Sequence, residues 1–173
     1  MGTLPEPFGG DPVAAIYDRA LPQVYGYLLP RCGSAVVAED LAAETFVAAV
    51  AATRRDGAPE VTVAWLVGVA RHKLVDHWRR VAREQRSLAA SDLAVAELDD
   101  PWGDWIDAEA AHAALARLSA QHRIALTLRY LDGLPVARVA EHLDRSLHAT
   151  ETLLVRARAA LRRVYREEGG FDA

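Results

Sequence analysis

Pro135-Val-Ala-Arg-Val-Ala-Glu-His-Leu143, Asp144-Arg-Ser146, Leu147-His-Ala-Thr-Glu-Thr-Leu-Leu-Val-Arg-Ala-Arg158 is the stretch on which the fold turns. Val136, Val139, Ala140 and Leu143 recur at helical spacing and give one short helix an apolar face. Ser146 stands where a side-chain oxygen caps the next helix. In that helix Leu147, Leu154 and Leu161, with Thr150 and Ala157 between them, predict an apolar seam. Two helices across so short a turn read as a helix-turn-helix, in which the second helix projects its first turns into a DNA major groove and the first braces the backbone. Arg156, Arg158, Arg162 and Arg163 lie further along, where side chains meet phosphates. A plain three- or four-helix bundle with a solvated arginine face fits the same spacing.

Working outward, Ala108 to Arg117 reads as a helix, and Ser119 caps a second one from Ala120 to about Leu131, which Asp132-Gly133 ends. The last helix is expected to stop near Glu168, before Gly169-Gly170. Towards the N-terminus, Thr62 caps a helix reaching about Arg86, with Val63, Leu66, Val67, Ala70, Leu74, Trp78 and Val81 as its buried face. Ser34 caps another from Val36 to about Arg54, with Val37, Leu41, Thr45, Ala48 and Ala52 on one side and Phe46, Val50 and Thr53 on the adjacent stripe. Asp11 to about Leu29 holds one or two short helices; Pro22 suits the first turn of the second, and Pro30 to Ser34 is a break. The prediction is an all-α chain of two small helical domains, residues 11–88 and 108–168, joined by an acidic linker over 89–107.

Charge supports that division. The net charge of −4 argues against a nucleic-acid partner only as an average. Arg71 to Arg86 holds six Arg or Lys against Asp76 and Glu84; Arg117 to Arg166 holds ten Arg against Asp132, Glu141, Asp144 and Glu151. Between them, Asp92 to Glu109 carries seven acids and no Lys or Arg, together with Trp102 and Trp105, which a purely disordered linker rarely contains. Cys32 is the one cysteine, so an intramolecular disulfide and a multi-cysteine zinc site are excluded, as suits a reducing cytoplasm. No run of eighteen apolar residues is present to span a membrane. Met1 to Gly10 lacks the basic and apolar regions of a signal peptide and reads as a flexible tail.

Two further clusters carry candidate chemistry. Asp40 and Glu44, one turn apart, put two carboxylates on one helix face beside Phe46, a patch for a basic partner surface or a solvated acidic face. Arg71, Lys73, Arg79 and Arg80 supply charge for a nucleic-acid backbone, while Trp65, His77 and Trp78 are flat rings on which an unstacked base can rest, or core side chains. His72 and Asp76 at i,i+4 have no further metal ligand to support them, so no metal and no other cofactor is expected. No phosphate loop, nucleophile elbow or paired Cys/His motif occurs, so the chain is not expected to be an enzyme.

Leu118-Ser-Ala-Gln-His-Arg-Ile-Ala-Leu-Thr-Leu-Arg-Tyr-Leu-Asp-Gly-Leu-Pro-Val-Ala-Arg-Val-Ala-Glu-His-Leu143, with Val155-Arg-Ala-Arg-Ala-Ala-Leu-Arg162, resembles the region 4 domain of bacterial sigma factors. Ala38-Glu-Asp-Leu-Ala-Ala-Glu-Thr-Phe46 resembles the region 2 helix that docks on the clamp of core RNA polymerase. Trp65-Leu-x-x-Val-Ala-Arg-x-x-x-x-Asp-x-x-Arg-Arg80 resembles the region 2 segment that melts and reads the −10 element. The matches stand in the family's order over about residues 11 to 166, and the small size is similar to the extracytoplasmic-function (ECF, group IV) sigma factors.

The resemblance implies a cytoplasmic factor that directs promoter-specific transcription. Its partners would be core RNA polymerase, promoter DNA and an anti-sigma factor, without insertion into a membrane. It assigns polymerase binding to Glu39, Asp40, Glu44, Thr45 and Phe46, and −10 DNA to Trp65, Arg71, Lys73, His77, Arg79 and Arg80, with the loop Asp56–Val61. It assigns −35 DNA to His148, Thr150, Glu151, Thr152, Arg156 and Arg158. Two departures stand out: His72 where the family often has Asn, and Glu151-Thr152-Leu153 where it usually has Lys/Arg-Ser-Arg. A glutamate there can accept from a cytosine N4 and a threonine can touch a thymine methyl or a phosphate, which implies an unusual promoter preference. The acidic linker would follow a path that nucleic acid otherwise takes. A polymerase-independent helix-turn-helix regulator and a helical adaptor that binds no DNA are the competing readings.

Overall fold

The structure, a computed structural model, describes residues 11–88 and 108–167. The Met1–Gly10 tail, the linker with Trp102 and Trp105, and the Gly169-Gly170 stop lie outside the described residues. Among the described residues every regular element is helical: a short 3-10 turn Ala14–Ile16, then α1 Tyr17–Cys32, α2 Ala35–Thr53, α3 Val63–Leu88, α4 Ala108–Arg117, α5 Ala120–Leu126 continued by a π turn Thr127–Leu131, α6 Val136–Leu143 and α7 Leu147–Glu167. The chain forms two compact units, residues 1–74 and 75–173, and the division falls inside α3.

Four helix starts are fixed by a hydroxyl accepting from the backbone three residues on. Ser34 Oγ takes the Val37 N–H at 3.5 Å, Thr62 Oγ1 that of Trp65 at 3.1 Å, Ser119 Oγ that of His122 at 3.4 Å and Ser146 Oγ that of Ala149 at 3.2 Å. Each satisfies a donor that the helix cannot pair internally.

In the first unit α1 packs on α2. Ala20, Val24, Leu28 and Cys32 form the buried line of α1, facing Ala38, Leu41, Ala42, Thr45, Phe46 and Ala49 of α2. The α2 seam therefore sits one residue off the expected stripe: Val37, Ala48 and Ala52 are half-buried. A second difference is larger. Pro22 and Pro30 lie inside one continuous helix, not at a start and a break. Each proline forfeits one helical hydrogen bond, and helix ends are set instead by burial of the α1 line and by Gly33. That glycine takes the left-handed conformation at φ 67°, which an L side chain resists, and donates its N–H to Leu29 O at 3.1 Å. Leu66, Ala70 and Leu74 of α3 complete this unit's fully buried set.

In the second unit α7 packs against α4, α5 and α6. Thr150, Leu153, Leu154, Ala157, Leu161 and Val164 face inward from α7, and Ala114, Leu118, Ile124, Leu128, Val139 and Leu143 are buried with them. Trp78 is buried here too, with the Arg123 guanidinium 4.4 Å from its ring centre. Through the π turn, the Asp132 N–H reaches Thr127 O and the Leu134 N–H reaches Leu128 O, both at 3.0 Å. Between α6 and α7 the chain reverses at Asp144, which adopts φ 53°, and the Arg145 N–H closes the turn on Ala140 O at 3.0 Å. Leu147 does not join the seam: it begins α7 before the inward line and is half exposed, at 50%.

Candidate nucleic-acid interface

The outer face of α2 is both acidic and apolar. Glu39, Asp40 and Glu44 are exposed. Val36 and Val47, exposed by 68% and 71%, lie on the same side at positions that step by three or four from Asp40 and Ala43. Together with the three carboxylates they make this face mixed acidic and apolar. Sequence reasoning missed both valines, although the spacing 36, 40, 43, 47 was the available signal.

Two of the residues assigned to this face do not point out. Thr45 is fully buried and donates its hydroxyl to Leu41 O at 2.7 Å, so it belongs to the α1–α2 packing. Phe46 is 7% exposed, its ring 4.7 Å from that of Tyr17, and it floors a shallow apolar cleft with Tyr17, Leu21 and Tyr25.

Helix α3 carries all six of the residues expected at single-stranded DNA. Trp65 is half-buried and Arg80 exposed. Lys73 Nζ lies 3.5 Å from Glu44 Oε2, and the Arg71 guanidinium 6.0 Å from the Tyr27 ring centre. His77 Nδ1 is 3.4 Å from Arg80 Nη2, and, within the second unit, Arg79 Nη2 is 3.4 Å from Asp144 Oδ2. Trp78 is enclosed by protein, so it serves as core and not as a platform for a base. His72 and Asp76 are exposed on the same helix, and among the described residues no cluster of three metal-ligating side chains occurs.

On α7 the outward stripe is Leu147, His148, Glu151 and Thr152, continued by Val155 and Arg158. Thr150 is removed from the groove-facing set: it is fully buried and gives its hydroxyl to Ser146 O at 3.0 Å. Thr152 donates to His148 O at 3.0 Å, which occupies its proton within the helix. Arg156 is half-buried, its Nε enclosed without an acceptor among the described residues. The stripe thus presents one carboxylate near the helix start and positive charge further along, an arrangement suited to a base edge first and phosphates after.

Comparison with known proteins matches two successive stretches of the chain, the first of which runs past the division inside α3. Residues 16–84 fit the family model of Sigma-70 region 2 and residues 108–161 that of Sigma-70 region 4. The chain is 30% identical over 164 residues to the ECF RNA polymerase sigma factor SigL of Mycobacterium tuberculosis, covering 90% of this chain and 89% of that one. It is 32% identical over 162 residues to the ECF RNA polymerase sigma factor BldN of Streptomyces coelicolor, covering 89% of this chain but spanning only 60% of that relative's length. It is 27% identical to the RNA polymerase sigma factor YlaC of Bacillus subtilis, over 88% and 91% of the two chains. Among solved structures, the sigma factor RpoE of Bartonella quintana, crystallised with the anti-sigma factor NepR, shares the fold at a TM-score of 0.52 and 24% identity, over 88% and 95% of the chains.

Proposed function

This chain belongs to the ECF RNA polymerase sigma factors, and we propose that it binds core RNA polymerase and directs initiation at promoters with −10 and −35 elements. The observation that carries this reading is the presence of both regions, in order, on one chain: 16–84 and then 108–161. The α2 face of Val36, Glu39, Asp40, Glu44 and Val47 is the polymerase contact. Acid and exposed valines together suit a basic, partly apolar partner surface. Helix α3 captures the opened −10 strand through Arg71, Lys73, Arg79 and Arg80, with Trp65 and His77 as rings at its side. Helix α7 holds the −35 duplex through His148, Glu151, Thr152 and Arg158.

An anti-sigma factor is the third partner, assigned by membership of the family. Because the work is done on the polymerase, we place the protein in the cytoplasm; no helix among the described residues is long and apolar enough to cross a membrane. A polymerase-independent regulator would leave the exposed α2 face without a partner. The deciding experiment is transcription in vitro from a genomic promoter library with purified core polymerase. Promoter-specific transcripts that require this protein support the reading, and their absence refutes it.

A further inference from the structure

We infer that the −35 reading head of this protein is acidic, with Glu151 selecting a cytosine and Leu147 resting on a thymine methyl one or two base steps away. The inference rests on the promoter-directed reading above and deepens it.

Helix α7 leaves few side chains available to a groove. Thr150, Leu153 and Leu154 are buried, so they never face DNA. Thr152 has its hydroxyl on His148 O. What remains outward in the first two turns is Leu147, His148 and Glu151, and among the described residues no hydrogen bond or ion pair engages the Glu151 carboxylate. A carboxylate brought up to a duplex is repelled by phosphates, and only a donor on a base edge offsets that repulsion. In the major groove the donors are cytosine N4–H and adenine N6–H. Adenine flanks its amino group with its own N7 as well as the partner thymine's O4, and both repel a carboxylate; cytosine has C5–H on its own side and only the partner guanine's O6 on the other. Guanine offers two acceptors and thymine an acceptor and a methyl, so neither suits glutamate. Cytosine is the base that fits.

Leu147 stands one helical turn before Glu151, with the two Cβ positions about 6 Å apart. Base pairs rise by about 3.4 Å, so the two side chains reach edges one or two steps apart. Half of Leu147 is open to solvent, and thymine C5-methyl is the apolar group that the groove provides for it.

The test is selection by the full-length chain assembled with core RNA polymerase, from duplex DNA randomised across the −35 and −10 positions. The wild type should enrich cytosine at one −35 position roughly ten-fold over other bases, with thymine one or two steps away. Glu151→Ala should abolish the cytosine preference and leave the other positions unchanged, while Glu151→Gln should move it towards adenine, which pairs with an amide through N6 and N7. Leu147→Ala should weaken the thymine preference alone. Circular dichroism of these surface variants should match the wild type. Sequence-specific enrichment without a cytosine that depends on Glu151 overturns the inference and leaves the promoter-directed reading intact. No enrichment by the wild-type holoenzyme overturns that reading, and the inference with it.

Discussion

Lys73 of α3 is held 3.5 Å from Glu44 of α2, so a base of the cationic helix is paired with an acid of the exposed α2 face. Both side chains keep solvent contact, at 31% and 55% exposure, and such pairs contribute about 0.2–1 kcal/mol to stability. Glu44→Ala should therefore leave thermal unfolding within a few degrees of the wild type. Its effects should appear in binding: weaker capture of core polymerase, and stronger retention on single-stranded DNA at low salt because Lys73 is no longer neutralised. Surface plasmon resonance with both ligands measures the two changes.

Leu28 and Val47 separate folding from docking within the first unit. Leu28 is fully buried, and Leu28→Ala should cost about 2–5 kcal/mol by denaturant unfolding. Val47, 71% exposed, contributes little to the core, and Val47→Asp should change stability by about 0.5 kcal/mol or less. The second variant should lose polymerase binding by ten-fold or more in a pull-down titration; unaltered binding would remove Val47 from the contact.

Thr45 and Thr150 are paired cases of a buried hydroxyl bonded to its own helix, on Leu41 O and Ser146 O. Thr45→Val should preserve polymerase affinity, and Thr150→Val should preserve the −35 preference. Each should shift stability by about 1 kcal/mol. A selective loss of binding in either variant, at unchanged thermal stability, would return that threonine to the surface.

Ser146 and Asp144 shape the turn from which α7 starts. Ser146→Ala removes the acceptor for the Ala149 N–H and should cost about 1 kcal/mol. Asp144 sits at φ 53°, a conformation that favours glycine, so Asp144→Gly should relieve up to about 1 kcal/mol of backbone strain, offset in part by loss of the exposed ion pair to Arg79. The calorimetric midpoint should fall for Ser146→Ala and stay level or rise for Asp144→Gly.

Arg158, half-buried, follows Glu151 by two turns on the same side of α7. If it meets a phosphate, Arg158→Ala should reduce the magnitude of the log–log salt slope of holoenzyme binding to duplex promoter DNA by about 0.9, with sequence preference unchanged. A shallower slope accompanied by altered base preference would place Arg158 at a base edge instead.

Helix starts were the most legible feature of this sequence, because a capping hydroxyl acts locally: Ser34, Thr62, Ser119 and Ser146 were each identifiable before any packing was known. Helix continuity through Pro22 and Pro30 was not. Proline disfavours the helix locally, and the packing of Ala20, Val24 and Leu28 against α2 outweighs it only once the partner helix is in place. The same limit explains Leu147, whose spacing from Leu154 suits a seam but which begins α7 before the inward line. Thr45 and Thr150 are the opposite case: their helical spacing already set them on the inward stripes, and they are buried there with a helical carbonyl satisfying their one donor, although the family resemblance assigned them to binding faces. For the candidate site, charge patterning was readable from composition along the chain. Which charges meet each other, as Lys73 meets Glu44, depends on how α2 and α3 lie side by side.

The π turn at Thr127–Leu131 acts as a phase shifter for the helix-turn-helix that follows. A π turn accommodates one residue more than an α turn, and one residue is worth about 100° of helical rotation. Excising a single residue from this turn would let the α ladder of α5 run on, while α6 and α7 would start from a different azimuth. Such a deletion would spare local hydrogen bonding yet turn α6 and α7 out of register with Ile124 and Leu128, so the π turn sets the phase on which the whole second-unit core depends.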